Sequence, residues 1–208
     1  MISKEQNRID MAFDRNQKAN IMTHLINLNK SAETASIAYE IAKKHGEISP
    51  ELTYATAILM NLGETHDEIK HIYDPFYRWP KEGMDRPDHP INLNKRHGEF
   101  SVKMAESFGI NLTEEQKQAI EGHSKGEYST ALGQIIKIAE VCRATEDKRI
   151  YNGEDKNAAT SWEEIEKILL KDTGLSHGII EVAKEAYVST RFKNIKPSHD
   201  TDDGEISE

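Results

Sequence analysis

The sequence predicts an all-α domain, a single bundle of six to eight helices carrying one long lid loop. Three observations carry that expectation. Apolar residues recur at spacings of three and four through successive segments. Helix punctuation brackets those segments: Ser49-Pro50-Glu51 supplies a cap, a first-turn proline and an acid, and Thr113 with Gln116 and Ser161 with Glu164 read as capping boxes. No alternating strand pattern and no internal repeat occurs.

Composition bounds the rest. A chain of 208 residues with 37% hydrophobic and 30% charged residues suits one domain, one core and a busy polar surface. The opening MISKEQNRID is polar and no apolar run reaches about 18 residues, so neither a membrane span nor a signal peptide is expected and the protein reads as cytoplasmic. The single cysteine, Cys142, excludes an internal disulfide, argues against a thiolate-rich zinc site, and reads as a small buried hydrophobe. The net charge of −9, with no concentrated basic patch, argues against DNA as a partner. Lys148-Arg149, with Lys137 and Arg143 before them, is a cluster sufficient for one small phosphate; its plainer reading is a solvated helix end.

In chain order, residues 1–28 read as one or two helices forming an N-terminal extension, with a break suggested by Asn27 and Asn29. Ser31–Lys44 places Ala35, Ala38, Tyr39, Ile41 and Ala42 on one face and stops at Gly46. Alanines on that face imply close helix approach. The central helix, about 51–62, carries Ala55, Ile58, Leu59 and Leu62 at helical spacing. Residues 64–96 form the long lid, with four prolines and the aromatics Tyr73, Phe76, Tyr77 and Trp79, and with short helical turns near Asp67–Tyr73. His97–Phe108, Thr113–His123, the largely apolar Ala131–Thr145, Trp162–Lys171 and Ile179–Arg191 follow as helices. The helical domain is taken as 1–192, and 193–208 as a disordered acidic tail.

The stretch Ala57-Ile58-Leu59-Met60-Asn61-Leu62-Gly63-Glu64 resembles the core helix of the HD superfamily of metal-dependent phosphohydrolases, A-L-L-H-D-I-G-K, in which the adjacent His and Asp hold a divalent metal. The resemblance extends over about residues 24–190. Lys30-Ser31, before an alanine-rich helix, stands where the family has His-Ser. His97-Gly98-Glu99-Phe100-Ser101 is similar to the His-Gly-Glu-x-Ser of many bacterial members, and His123 closes the next helix. Ala139-Glu140-Val141 with Ala144, Arg149 and Tyr151 resembles the A-D-V-x-x-A…R-x-Y of the cyclic-dinucleotide phosphodiesterase branch, with Glu140 in place of the Asp.

The resemblance implies the fold, while the substitutions remove its chemistry. Three of the four first-metal positions are Lys30, a cation without a lone pair, Met60, a thioether ill-suited to hard divalent ions, and Asn61, a neutral amide. His97, His123 and Glu140 remain as a weak candidate divalent site; otherwise no cofactor is expected. A carboxylate left behind by a lost metal needs a partner, which suggests a Lys30–Glu140 ion pair bridged by Asn61. The expected ligand-binding set is Lys30, Asn61, His97, His123, Glu140, Arg143 and Arg149. His66-Asp67 with His71 reads as loop residues, and His24, His45, His89, His177 and His199 as surface residues. The reading is a non-hydrolytic protein binding a nucleotide, another phosphate-containing ligand or a protein partner in the former metal cleft. The alternatives are an active phosphohydrolase rebuilt on His97, His123 and Glu140, with Glu99 a further candidate, and a pure protein-interaction module.

Overall fold

A computed structural model describes residues 15–73, 77–78, 80–152 and 160–190; side chains are described from residue 29 onward, those of residues 150 and 190 excepted. The described residues form eight α-helices and two 3-10 turns, with no strand among them. The expectations for residues 1–14, Phe76, Trp79 and the tail 193–208 lie outside the described residues.

Helix α1 runs unbroken from Arg15 to His45. Asn27 and Asn29 therefore do not interrupt it, contrary to the expected break: mid-helix asparagine is weakly unfavourable, and packing overrides it. Ala35, Ala38, Ile41 and Ala42 are fully buried along one stripe, which lets α1 lie against α2 (Pro50–Leu59) and α6 (Ala131–Tyr151). Ser49 caps α2 through Leu52 N–H at 3.2 Å. The buried face of α2 is Thr53, Thr56 and Ala57, continued by Met60 at its end, while Ala55 is exposed and Ile58 and Leu59 are half-buried. This reverses the face expected from hydropathy alone. The two threonines bury without penalty because their hydroxyls donate to Ser49 and Leu52 carbonyls one turn back. Leu62 is not helical in α2; it opens a 3-10 turn, Leu62–Thr65.

The lid is less loop-like than its sequence. A second 3-10 turn, Lys70–Tyr73, and the short α3 (Pro90–Asn94) bring Ile69, Ile72 and Leu93 against Phe100 in a small satellite core. Tyr73 closes it, its hydroxyl donating to Asn94 Oδ1 at 2.6 Å. His89 was expected at the surface but is fully buried. Its Nδ1 accepts the Ile91 N–H, and its Nε2 has no hydrogen-bond partner among the described residues.

Helices α4 (His97–Ser107) and α5 (Glu114–Lys125) follow; α5 opens with the Thr113–Gln116 capping box and closes at Gly126 in the left-handed region. Helix α6 is buried through Leu132, Ile135, Ile136, Ile138, Ala139 and Cys142 and forms the centre of the bundle. Burial pushes the Cys142 thiol up to about 12, in keeping with an inert core residue. Helices α7 (Trp162–Leu169) and α8 (His177–Thr190) cover its far side with Trp162, Ile165, Ile180 and Ala183.

The turn after α2 seats on α4 backbone to backbone. A Cβ at Gly63 would lie 2.0 Å from His97 O and 2.5 Å from Ser101 N, and Gly63 N–H donates to Ser101 Oγ at 2.7 Å while that hydroxyl donates to Met60 O at 2.7 Å. Gly63→Ala is expected to destabilise the protein by about 3 kcal/mol or more, since the obstructing atoms are backbone and cannot rotate away. Ser101→Ala, which strands one donor and one acceptor in the interior, should lose about 1–3 kcal/mol. Urea unfolding of both variants checks the order.

Candidate functional site

The site is assembled from four elements. Asn61, at the turn after α2, is half-buried; its Nδ2 lies 3.3 Å from Ser31 Oγ on α1 and its Oδ1 3.3 Å from His123 Nε2 on α5. His97 opens α4. The two imidazoles are held by the same local device: His97 Nδ1 lies 2.5 Å from Asn94 O and His123 Nδ1 2.5 Å from Ile120 O, in each case the carbonyl three residues back. A carbonyl can only accept, so both Nδ1 atoms carry protons and both Nε2 atoms present lone pairs. Those atoms face each other at 2.7 Å. Gly98 is a second close approach, with Ile120 O 2.3 Å from its would-be Cβ, and it lets α4 and α5 bring the rings this near.

Burial depresses both rings to about 4, the proximity of each to the other adding to the effect at His97. Burial disfavours charge on either ring, while the 2.7 Å separation is a hydrogen-bond distance suited to one proton held between the two Nε2 atoms. The amide of Asn61 carries no charge to balance such a proton. A half-turn of that amide would present its NH₂ to the His123 lone pair and its oxygen to the Ser31 hydroxyl. What the pair can accept is a hydrogen-bond donor, a shared proton or a cation.

Two acids border the rings. Glu64, next to Gly63, is buried enough that its carboxyl rises to about 7; Lys30 opposes this shift and Glu140 adds to it. Glu64 was not among the expected site residues. The sequence signal was its place, one residue after the glycine, in the family's lysine position. Glu140 on α6 lies 3.6 Å from Lys137 Nζ. The Lys30–Glu140 pair expected from sequence is not formed: among the described residues Lys30 makes no ion pair and is exposed. Asn61 instead lies 3.3 Å from both Ser31 Oγ and His123 Nε2, and bridges them with its amide turned so that the NH₂ faces the ring. The physical reason is local, since Lys137 is one helical turn from Glu140 on the same helix.

The two arginines expected to bind ligand are engaged elsewhere. Arg143 donates to Thr34 Oγ1 at 3.1 Å and pairs with Asp147. Arg149 is buried and pairs with Glu146 at 3.1 Å. It lines a separate groove of about 450 Å³, with Val141, Ala144, Lys148 and Ile168. Met60 is buried at 2% exposure in the core, not presented to the cleft. Glu99 pairs with Lys125 at 3.0 Å. In the lid, His66 stacks on Phe100 at 4.3 Å and Asp67 pairs with Lys70. No three His, Cys, Asp or Glu side chains gather at metal-holding distance among the described residues.

A family model, the HD domain, matches residues 27–145, more than half of the 208. The chain belongs to the HD-domain family, a phosphohydrolase superfamily. No curated protein and no solved structure matches it. The residues present do not fit the family's divalent metal: Met60 is a core thioether, Asn61 lacks charge, Lys30 is an ammonium and Glu140 is taken by Lys137.

The depressed imidazoles set a pH dependence. The unfolded rings take up protons near 6.5 and the folded rings only near 4, so stability falls as pH drops from about 6.5 to about 4. Glu64 acts oppositely: its folded carboxyl is raised from 4.5 to about 7, so its contribution is lost as pH rises through that window. With two rings against one carboxyl, net stability is expected to fall on acidification, and more steeply in Glu64→Gln. Denaturation at pH 7 and pH 5, with His C2–H titration by NMR, tests both signs.

Proposed function

We propose that this HD-domain protein is a binding protein rather than a hydrolase, and that its former metal cleft receives a small phosphate-bearing ligand, such as a nucleotide. The observation that supports this most is the Asn61 amide, held between Ser31 and His123 at 3.3 Å each. The family's bridging carboxylate belongs at that position, and a neutral amide cannot neutralise and bridge metal ions as a carboxylate does. Lys30, exposed at the rim, has no ion pair among the described residues and is available to a phosphate. The half-buried Asn61 amide can both donate to and accept from polar groups of the same ligand. A phosphate with such groups describes a nucleotide or a sugar phosphate.

A second reading, a phosphohydrolase rebuilt on His97, His123 and Glu140, is favoured by one feature: two buried nitrogen lone pairs 2.7 Å apart are a site that a cation would relieve. Elemental analysis of the purified protein, and assays with p-nitrophenyl phosphate esters and a nucleotide panel in Mn²⁺, separate the two. The binding reading expects no metal-dependent turnover; turnover abolished by His97→Ala overturns it.

Thermal-shift screening with the same nucleotides supplies the positive test. A ligand at about a hundred times its Kd stabilises by about 2.7 kcal/mol, and the shift is expected to disappear in Lys30→Met. A panel that leaves the melting temperature unmoved, alongside a protein partner captured on the lid, favours the interaction-module alternative.

A further inference from the structure

The two imidazoles share one kind of anchor but not one kind of support. His123 Nδ1 donates to Ile120 O, a carbonyl inside the twelve-residue α5, where the helix itself fixes its direction. His97 Nδ1 donates to Asn94 O, the carbonyl of the last residue of α3. That helix has five residues, too few to be stable alone, and a helix's last carbonyls have no partner within it. The direction of Asn94 O therefore depends on what holds Asn94 from outside. Tyr73 does so: its hydroxyl donates to Asn94 Oδ1 at 2.6 Å. Burial pushes the Tyr73 phenol up, so the hydroxyl keeps its proton. The Tyr73 ring also stands edge-on to His97, with centroids 6.4 Å apart and planes at 87°. His123 meets the His97 ring at 4.6 Å and 76°. His97 is thus bordered by a lid aromatic as well as by its partner ring.

We propose that Tyr73 is a positioning residue of this site: its hydroxyl holds Asn94, and through the Asn94 carbonyl it keeps the proton of His97 on Nδ1 and Nε2 turned toward His123. The 3-10 turn Lys70–Tyr73 thereby supplies to His97 what a full helix supplies to His123. The lid enters the site through one hydroxyl, and that hydroxyl sets which nitrogen of His97 any occupant of the cleft meets. The inference concerns the ring pair itself and holds whether the cleft binds or hydrolyses.

The test reads the Nδ1–H resonances of both histidines in the ¹⁵N-labelled full-length protein at pH 7.5, assigned with His97→Gln, and measures their exchange with water. Wild type is expected to carry a proton on Nδ1 of both rings. In Tyr73→Phe, which keeps the ring and removes the donor, the His97 Nδ1–H should exchange at least about fivefold faster, the equivalent of one net hydrogen bond, while His123 is unmoved. Asn94→Ala, which keeps the carbonyl and removes Oδ1, should do the same, and the double variant should add nothing to either single one. Asn94→Ala carries the test alone should Tyr73→Phe fail to fold. Ile72→Val loosens the same satellite core without touching the hydroxyl; it should lower stability and leave the His97 signal unchanged. An unprotonated His97 Nδ1 in wild type, unchanged exchange in both hydroxyl-pair variants, or an equal rise in Ile72→Val would overturn the role of Tyr73. None of these outcomes bears on the ligand or metal assays, so the binding reading stands or falls separately.

Discussion

The seating of Gly63 on α4 is the constraint on which the site depends. A glycine in the 3-10 turn after α2 lets that turn come within contact of another backbone, and here the would-be Cβ position is already filled by His97 O. Ser101 then joins the two elements by accepting from Gly63 N–H and donating to Met60 O. Three residues of one short turn, Met60, Asn61 and Gly63, are thereby fixed against the first turn of α4. Gly98 repeats the device between α4 and α5. Two close approaches in series place His123 within hydrogen-bond reach of both Asn61 and His97, which lie 62 and 26 residues from it in the chain. Nothing in this scaffold requires a metal. Each ring is anchored by a carbonyl one turn back on its own chain segment, so the pair persists whatever becomes of the other ligands.

Electrostatics in the cleft follow a different logic from geometry. Burial disfavours every charge it covers, and the site responds group by group. The imidazoles move toward their neutral forms and Glu64 toward its acid form. Glu140 stays partnered by Lys137, Arg149 by Glu146 and Arg143 by Asp147. The basic residues that in sequence look like a phosphate cluster are thus mostly balanced internally. Lys30, outside that cluster and exposed, makes no ion pair among the described residues.

Much of the fold was legible from residue spacing. The alanine stripe of α1, the caps at Ser49 and Thr113 and the apolar circumference of α6 each rest on local rules that burial does not contradict. Hydropathy misassigned the face of α2, because threonines that bond their own helix carbonyls bury as readily as alanine, while Ile58 and Leu59 are only half covered. The lid was read as irregular from its prolines, yet Ile69, Ile72 and Leu93 give it a core of its own. At the site, the identity of the histidines could be read, but their partners could not. Pairing depends on which side chain reaches first, and Lys137 outcompetes Lys30 for Glu140 through a three-residue spacing that is visible only once both are known to lie on one helix face. Glu64 gave a positional hint without a chemical one, since its burial is a tertiary property.

The retained and the replaced residues separate along a physical line. Retained are those whose role is structural as well as chemical: Gly63, Ser101, Gly98 and the two carbonyl-anchored histidines all maintain backbone contacts between α2, α4 and α5. On the non-hydrolytic reading, the positions that depart from the family pattern are those that would ligate an ion, now Lys30, Met60 and Asn61. A buried site that lost its ion while keeping its acids would hold uncompensated charge, which is strongly unfavourable. Changing the bridging acid to an amide and holding the remaining one with an ammonium removes that penalty without moving any helix. Met60 goes further, turning a former ligand position into part of the hydrophobic core. On the binding reading proposed above, the site keeps its geometry through the Gly63 and Gly98 contacts and the two carbonyl-anchored rings, none of which calls on an ion.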